Sequence, residues 1–292
     1  MLDFPSMFYF ICKISYKKDK KCIIYIERWA SMNVEYFNNL PNTKKILLKI
    51  TLIGILSALS YVGVLIQIPI PSPIGKPMIH LGNLIVIISA LLFGGIIGGA
   101  SGSIGMGLYD LIHCYDIFSI IRTIILKLVM GLIVGFVYRK LLKDKNPKVT
   151  IYQLFIGIFF ILIGSIFLII AVKYNGVWVN STTGQKATIY WPIYSFSLLI
   201  GILFVISFIF TKRLPYNLQI INLATSIAII VNIFGEFIYK VVKQLTMYGT
   251  PLTGSMVMGL MSIPATLLNG IITLVIVLSI YLPISSALYK KA

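Results

Sequence analysis

Residues 68–112 read IPIPSPIGKPMIHLGNLIVIISALLFGGIIGGASGSIGMGLYDLI, and the way this stretch crosses a bilayer decides the fold. Its first part is a loop between two apolar runs, held extended by Pro69, Pro71, Pro73 and Pro77, because proline fixes φ and disfavours helix in the residue before it. His80, Gly82 and Asn83 close the loop. The second part threads glycines through a membrane-like sequence. Gly95, Gly99, Ser103 and Gly107 share one helical face, and Gly94, Gly98 and Gly102 share another. Small residues four apart let helix backbones approach closely in lipid, where van der Waals packing joins helices.

Composition sets the class. The chain has 292 residues, of which 58% are hydrophobic and 11% charged, and its mean hydropathy is +0.96. A soluble domain is near half apolar and a quarter charged, so an all-α polytopic membrane protein is expected. The net charge of +17 comes from basic residues clustered between apolar runs. That pattern is a topology signal, with anionic headgroups of the lipid bilayer as its partner and no nucleic acid. Cys12, Cys22 and Cys114 have no metal-site spacing, and His113-Cys114 lacks a third ligand, so no metal is expected. Gly75-Lys76 is followed by proline, so it makes no phosphate-binding loop. No cofactor is implied, and any ATPase must be another chain.

Charge parity then orders the spans. Residues 1–43 form an N-terminal extension whose two short apolar runs flank Lys17–Lys21 and are too short to cross a bilayer. The first span is 46–68, after Lys44, Lys45 and Lys49, and the span 118–138 ends in Arg139, Lys140, Lys143, Lys145 and Lys148. Both basic clusters belong inside, so an even number of crossings separates them. Residues 81–112 must therefore cross twice, as two short helices folded near 95–101. The remaining spans are 151–172, 191–210, 218–241 and 256–288, giving about eight helices with both termini cytoplasmic. Loops 173–190, with Lys186, and 242–255 fall outside, where Tyr174, Trp178, Tyr190 and Trp191 suit the interface.

Few ionisable residues lie in or beside spans, and such groups are functional candidates because burying them is costly. Helix direction and rise place Lys127, Asn232, Glu236 and Asn269 at similar depth in the outer half, beneath the proline loop with His80 and Asn83. These six are the candidate substrate-binding residues. Lys127 and Glu236 either pair with each other across the helices or face a ligand. Asp110 and Arg122 flank one turn and read as a structural ion pair. No H-E-x-x-H, no G-x-S-x-G and no paired membrane carboxylates are present, so a loop-closed binding pocket is expected and an enzyme is not.

These residues resemble the substrate-binding S components of energy-coupling-factor (ECF) vitamin transporters, in the branch for riboflavin, hydroxymethylpyrimidine and related precursors. That branch carries L-G-D, L-F-G-P-x-x-G and G-x-x-x-D motifs. Here they read Leu81-Gly82-Asn83, Leu92-Phe93-Gly94-Gly95-Ile96-Ile97-Gly98 and Gly105 to Asp110. The family's fourth-helix lysine before G-L-x-x-G resembles Lys127 with Gly131-Leu132-Ile133-Val134-Gly135. Its closing I-P-x-N-x-x-Q resembles Ile263-Pro264-Ala265-Thr266-Leu267-Leu268-Asn269. Asn83, Thr266 and Asn269 depart from the family pattern, and Glu236 stands where glycine-tyrosine is common.

The resemblance implies a six-helix core within the domain 44–292, with 149–215 as an inserted helical pair. It also implies capture of a vitamin or precursor outside, reorientation in the membrane, and delivery through a transmembrane coupling (T) protein driven by two ATPase subunits. Gly54 and Ala58, four apart on the first helix, resemble the family's docking face. The competing reading is a self-sufficient secondary transporter or channel, which usually shows inverted repeats; no second glycine hairpin occurs in the sequence.

Overall fold

The computed structural model describes residues 41–69, 78–144, 149–173, 177–179, 186–188, 191–260 and 263–289. Residues 1–40 of the N-terminal extension, 70–77 of the proline loop, Lys145 and Lys148 lie outside them, as do Tyr174, Tyr190 and the side chains of Trp178, Lys186 and Trp191. Among the described residues the order is α1 (Asn42–Leu65), β1 (Gln67–Pro69), β2 (Met78–His80), α2 (Gly82–Phe93), α3 (Gly95–Ile112), α4 (Ile117–Asp144), α5 (Val149–Lys173), β3 (Val177–Val179), β4 (Lys186–Thr188), α6 (Trp191–Thr211), α7 (Tyr216–Met247), α8 (Leu252–Leu260) and α9 (Ile263–Tyr289). Among the described residues, five stretches are long and apolar enough to span a bilayer: Asn42–Leu65, Ile117–Lys143, Val149–Lys173, Tyr216–Met247 and Gly254–Tyr281. The chain is an all-α polytopic membrane protein.

Residues 81–112 do form two helices. The fold point is Gly94, one residue before the expected window, at φ +106, where a side chain would be strained. The two arms pack antiparallel: a Cβ on Gly98 would meet the Ala90 nitrogen at 2.4 Å, and one on Gly102 would meet Val86 at 2.2 Å. The other glycine face of α3 packs against α4. A Cβ on Gly131 would lie 2.2 Å from the Gly99 nitrogen, and one on Gly135 would lie 2.2 Å from the Gly95 nitrogen. Ser103 continues the seam by donating to the Ile124 carbonyl at 2.7 Å.

α1 buries Ser57, Ser60, Gly63 and Val64 against α2 and α3. Its opposite side leaves Ile50, Ile55, Leu59 and Val62 exposed, as lipid-facing residues should be. Beyond its end, β1 pairs antiparallel with β2, Gln67 opposite His80. The Tyr109 hydroxyl of α3 donates to Gln67 Oε1 at 3.2 Å, tying this hairpin down over the bundle.

α5 and α6 pack chiefly on each other, through Gly157, Gly164 and Gly201, and reach the rest through α7. The expected last span, 256–288, falls on α8 and α9, with residues 261–262 between them outside the described residues.

The α3–α4 seam should be intolerant of even one methyl group. Gly131→Ala is expected to destabilise the chain by about 1–3 kcal/mol, read as denaturant unfolding in detergent. Gly54→Ala, with nothing within 4 Å of its added methyl, should stay within about 0.5 kcal/mol.

Candidate ligand-binding cavity

α4 has two faces. Ser119, Thr123, Lys127, Met130 and Val134 are buried, whereas Phe118, Ile121, Ile125, Leu128, Leu132 and Phe136 are exposed to the lipid side. The glycine seam with α3 fixes its rotation, and the polar part of the buried face meets α7 running the other way. Lys127 donates to Asn232 Oδ1 at 3.0 Å. One turn on, Arg122 meets Glu236 at 2.9 Å and stacks over the Tyr239 ring at 4.8 Å. A further turn on, Ser119 Oγ and the Tyr239 hydroxyl are 2.7 Å apart. At the end Lys243 meets Asp116 at 2.6 Å.

This ladder removes one of the two alternatives for Lys127 and Glu236 and corrects the expected Asp110–Arg122 pair. Lys127 does not pair with Glu236; its partner is the neutral Asn232 amide, and Glu236 takes Arg122 instead. Asp110 does not pair with Arg122. Its carboxylate accepts from Thr123 Oγ1 at 2.5 Å, and Arg122 reaches that same hydroxyl at 3.1 Å. The 3.6-residue period is the reason: Lys127 and Arg122 project one turn apart, so each meets the α7 residue at its own height.

Beside the ladder is a cavity of about 390 Å³, lined by residues of α1, β2, α2, α3, α4, α7, α8 and α9. All six expected binding residues, His80, Asn83, Lys127, Asn232, Glu236 and Asn269, line it. Lys127, Asn232 and Asn269 are each only 4% exposed. Asn269 Oδ1 accepts from the His80 backbone N–H at 3.5 Å, joining α9 to the loop. Asn83 Oδ1 is buried with no hydrogen-bond partner among the described residues. Sequence reasoning missed Arg122 as a lining residue, and also Tyr239, Lys240 and Lys243. The i, i+4 run Asn232, Glu236, Lys240 was the available signal for the last two turns.

Two loop groups have displaced ionisation. The Gly82 N–H donates to His80 Nδ1 at 3.2 Å, which requires an unprotonated nitrogen there. Desolvation, then the Lys127 ammonium, hold His80 down at about 3. For Asp116, burial pushes upward, but hydrogen bonds from Lys243 and Ser119 outweigh it and hold the carboxyl at about 2. Its Oδ1 also accepts the Ser119 N–H at 3.0 Å, an N-cap for α4. No group of three or more His, Cys, Asp or Glu suited to a metal occurs among the described residues.

The family model of the ECF-type riboflavin transporter, S component, matches residues 44–190. The chain belongs to that family, and is an S component of the energy-coupling-factor transporters. The match runs from α1 to β4, so it takes in His80, Asn83 and Lys127 and ends before α6 and the α7–α9 side of the cavity. No curated protein and no solved structure matches the chain.

Two measurements test the site's chemistry. His80 keeps its proton off when folded but binds one near 6.5 when unfolded, so the unfolded state binds more protons between these values. The stability it contributes is full above about 6.5 and falls as pH drops toward about 3. Thermal unfolding against pH should show that loss in the parent and not in His80→Gln. For the ladder, a double-mutant cycle with Arg122→Met and Glu236→Gln should give a coupling of roughly 1–3 kcal/mol. The same cycle on Lys127 and Glu236 should give clearly less.

Proposed function

We propose that this S component captures a vitamin or vitamin precursor from outside in the 390 Å³ cavity and passes it to an ATP-driven module. The observation that carries the reading is convergence: six residues chosen for their chemistry line one cavity in a chain of this family. Pockets of roughly 300–1,000 Å³ suit small ligands. Riboflavin is the vitamin that the family's description names. Lys127 would face a carbonyl-rich or anionic group, Glu236 would accept from ring N–H or amino donors, and Asn232, Asn269 and Asn83 would read a heterocycle edge, since amides both donate and accept. His80 would close the cavity with the loop that carries it.

Delivery would use a T protein and two ATPase subunits. Gly54 and Ala58 are exposed on the free side of α1, and nothing lies within 4 Å of a methyl group added at Gly54. A small-residue face left open in the bundle suits close approach by a partner helix. Basic loops put both termini in the cytoplasm. The α5–α6 hairpin is a helical pair added to a six-helix core, a reading supported by its packing mainly on itself.

The test pairs binding with uptake, using the molecule that co-purifies with the chain as identified by mass spectrometry. The purified chain should bind it alone, and uptake into proteoliposomes should require the T protein and ATPases. Gly54→Leu should leave binding within about threefold and lower uptake at least about tenfold, the equivalent of 1.4 kcal/mol. Uptake by the chain without the ATPase module would instead establish a self-sufficient transporter.

A further inference from the structure

The charges around the cavity do not balance. Its lining has the cations Arg122, Lys127, Lys240 and Lys243 but only the carboxylates Asp110, Asp116 and Glu236. Two pairs are made inside this set: Arg122 with Glu236 and Lys243 with Asp116. Asp110 accepts from Thr123, and Lys127 has a neutral amide. Lys240 has neither a hydrogen bond nor an ion pair among the described residues. It is half-buried one turn beyond Glu236 on the same face of α7. The charges acting on it are Glu236, Arg122 and Lys243, two of them cations.

A lysine held only by the Glu236 carboxylate one turn away is the plain alternative. It leaves the charge uneven, because that carboxylate is already engaged by Arg122 at 2.9 Å and two cations act on Lys240 beside it. An unpaired ammonium beside a guanidinium whose carboxylate is already engaged is the arrangement that an incoming anion completes. The excess of one positive charge sets the size of that demand.

Building on the reading of this cavity as the ligand site, we propose that it selects an organic anion, whose carboxylate or phosphate is held by Lys240 at the α7 side while the uncharged body extends toward Lys127 and Asn232. Charge-assisted hydrogen bonds of this kind are about twice as strong as neutral ones. A ligand lacking the anion would leave the positive excess uncompensated inside the membrane domain.

The experiment uses the full chain in detergent and two matched probe pairs: nicotinate against nicotinamide, and riboflavin 5′-phosphate against riboflavin. Affinities come from thermal-shift titration at constant ionic strength, with flavin fluorescence for the second pair. In at least one pair the anion should bind at least about tenfold tighter than its neutral partner, a difference of about 1.4 kcal/mol. The pair that responds identifies carboxylate or phosphate. Lys240→Met should reduce that preference to under about threefold and Lys240→Arg should keep it, both folding with parental unfolding temperatures. The proposal is overturned if the neutral members bind as tightly in both pairs, if neither anion binds at millimolar concentration, or if the preference survives Lys240→Met. ATPase-dependent uptake of a neutral molecule would leave the transport function standing and remove this inference alone.

Discussion

The close contact of α3 with α4 is the constraint on which the rest depends. In lipid there is no hydrophobic gain from joining two apolar helices, so their register must come from fit. Gly95 and Gly99 against Gly135 and Gly131 bring the two backbones together with no room for a Cβ. That fit sets the rotation of α4. With α3 occupying one side, Ser119, Thr123 and Lys127 are turned inward and Ile121, Ile125 and Leu128 outward. Polar groups that would be costly in hydrocarbon are thereby delivered to the interior.

Once α4 is oriented, α7 answers it turn by turn. Lys127 with Asn232, Arg122 with Glu236, Ser119 with Tyr239 and Asp116 with Lys243 follow a single antiparallel register. Each contact alone is modest. Together they resist sliding, because a shift of one turn would leave several buried donors and acceptors unpaired at once. The ladder is uneven in one respect that matters for function: its ion pairs are made, but Lys127 is matched only by an amide and Lys240 by nothing among the described residues. A bundle held by its pairs and left with spare positive charge at its cavity is stable without a ligand and still attractive to one.

The loop side works differently. His80 is positioned by a two-stranded hairpin and by single hydrogen bonds, to Gly82 through its ring and to Asn269 through its backbone. Among the described residues, these contacts bridge α9 to the loop across the cavity.

Much of this was legible in the sequence. Apolar run lengths and the placement of lysines and arginines define the class, and parity led to the division of 81–112 into two helices, since bilayer thickness and charge bias act on any helix regardless of its neighbours. The six cavity residues were also within reach, because depth follows from helix rise and polar residues avoid lipid. Partnership was not. Lys127 and Glu236 look like a pair by charge and depth, yet Arg122 takes Glu236, because pairing depends on the rotation and vertical offset of α4 against α7. Nor does the sequence set the fold point at Gly94 rather than beyond it, or the close seats of Gly131 on Gly99 and Gly135 on Gly95. Those outcomes are decided by how closely backbones approach, a property of two surfaces meeting and not of either helix alone.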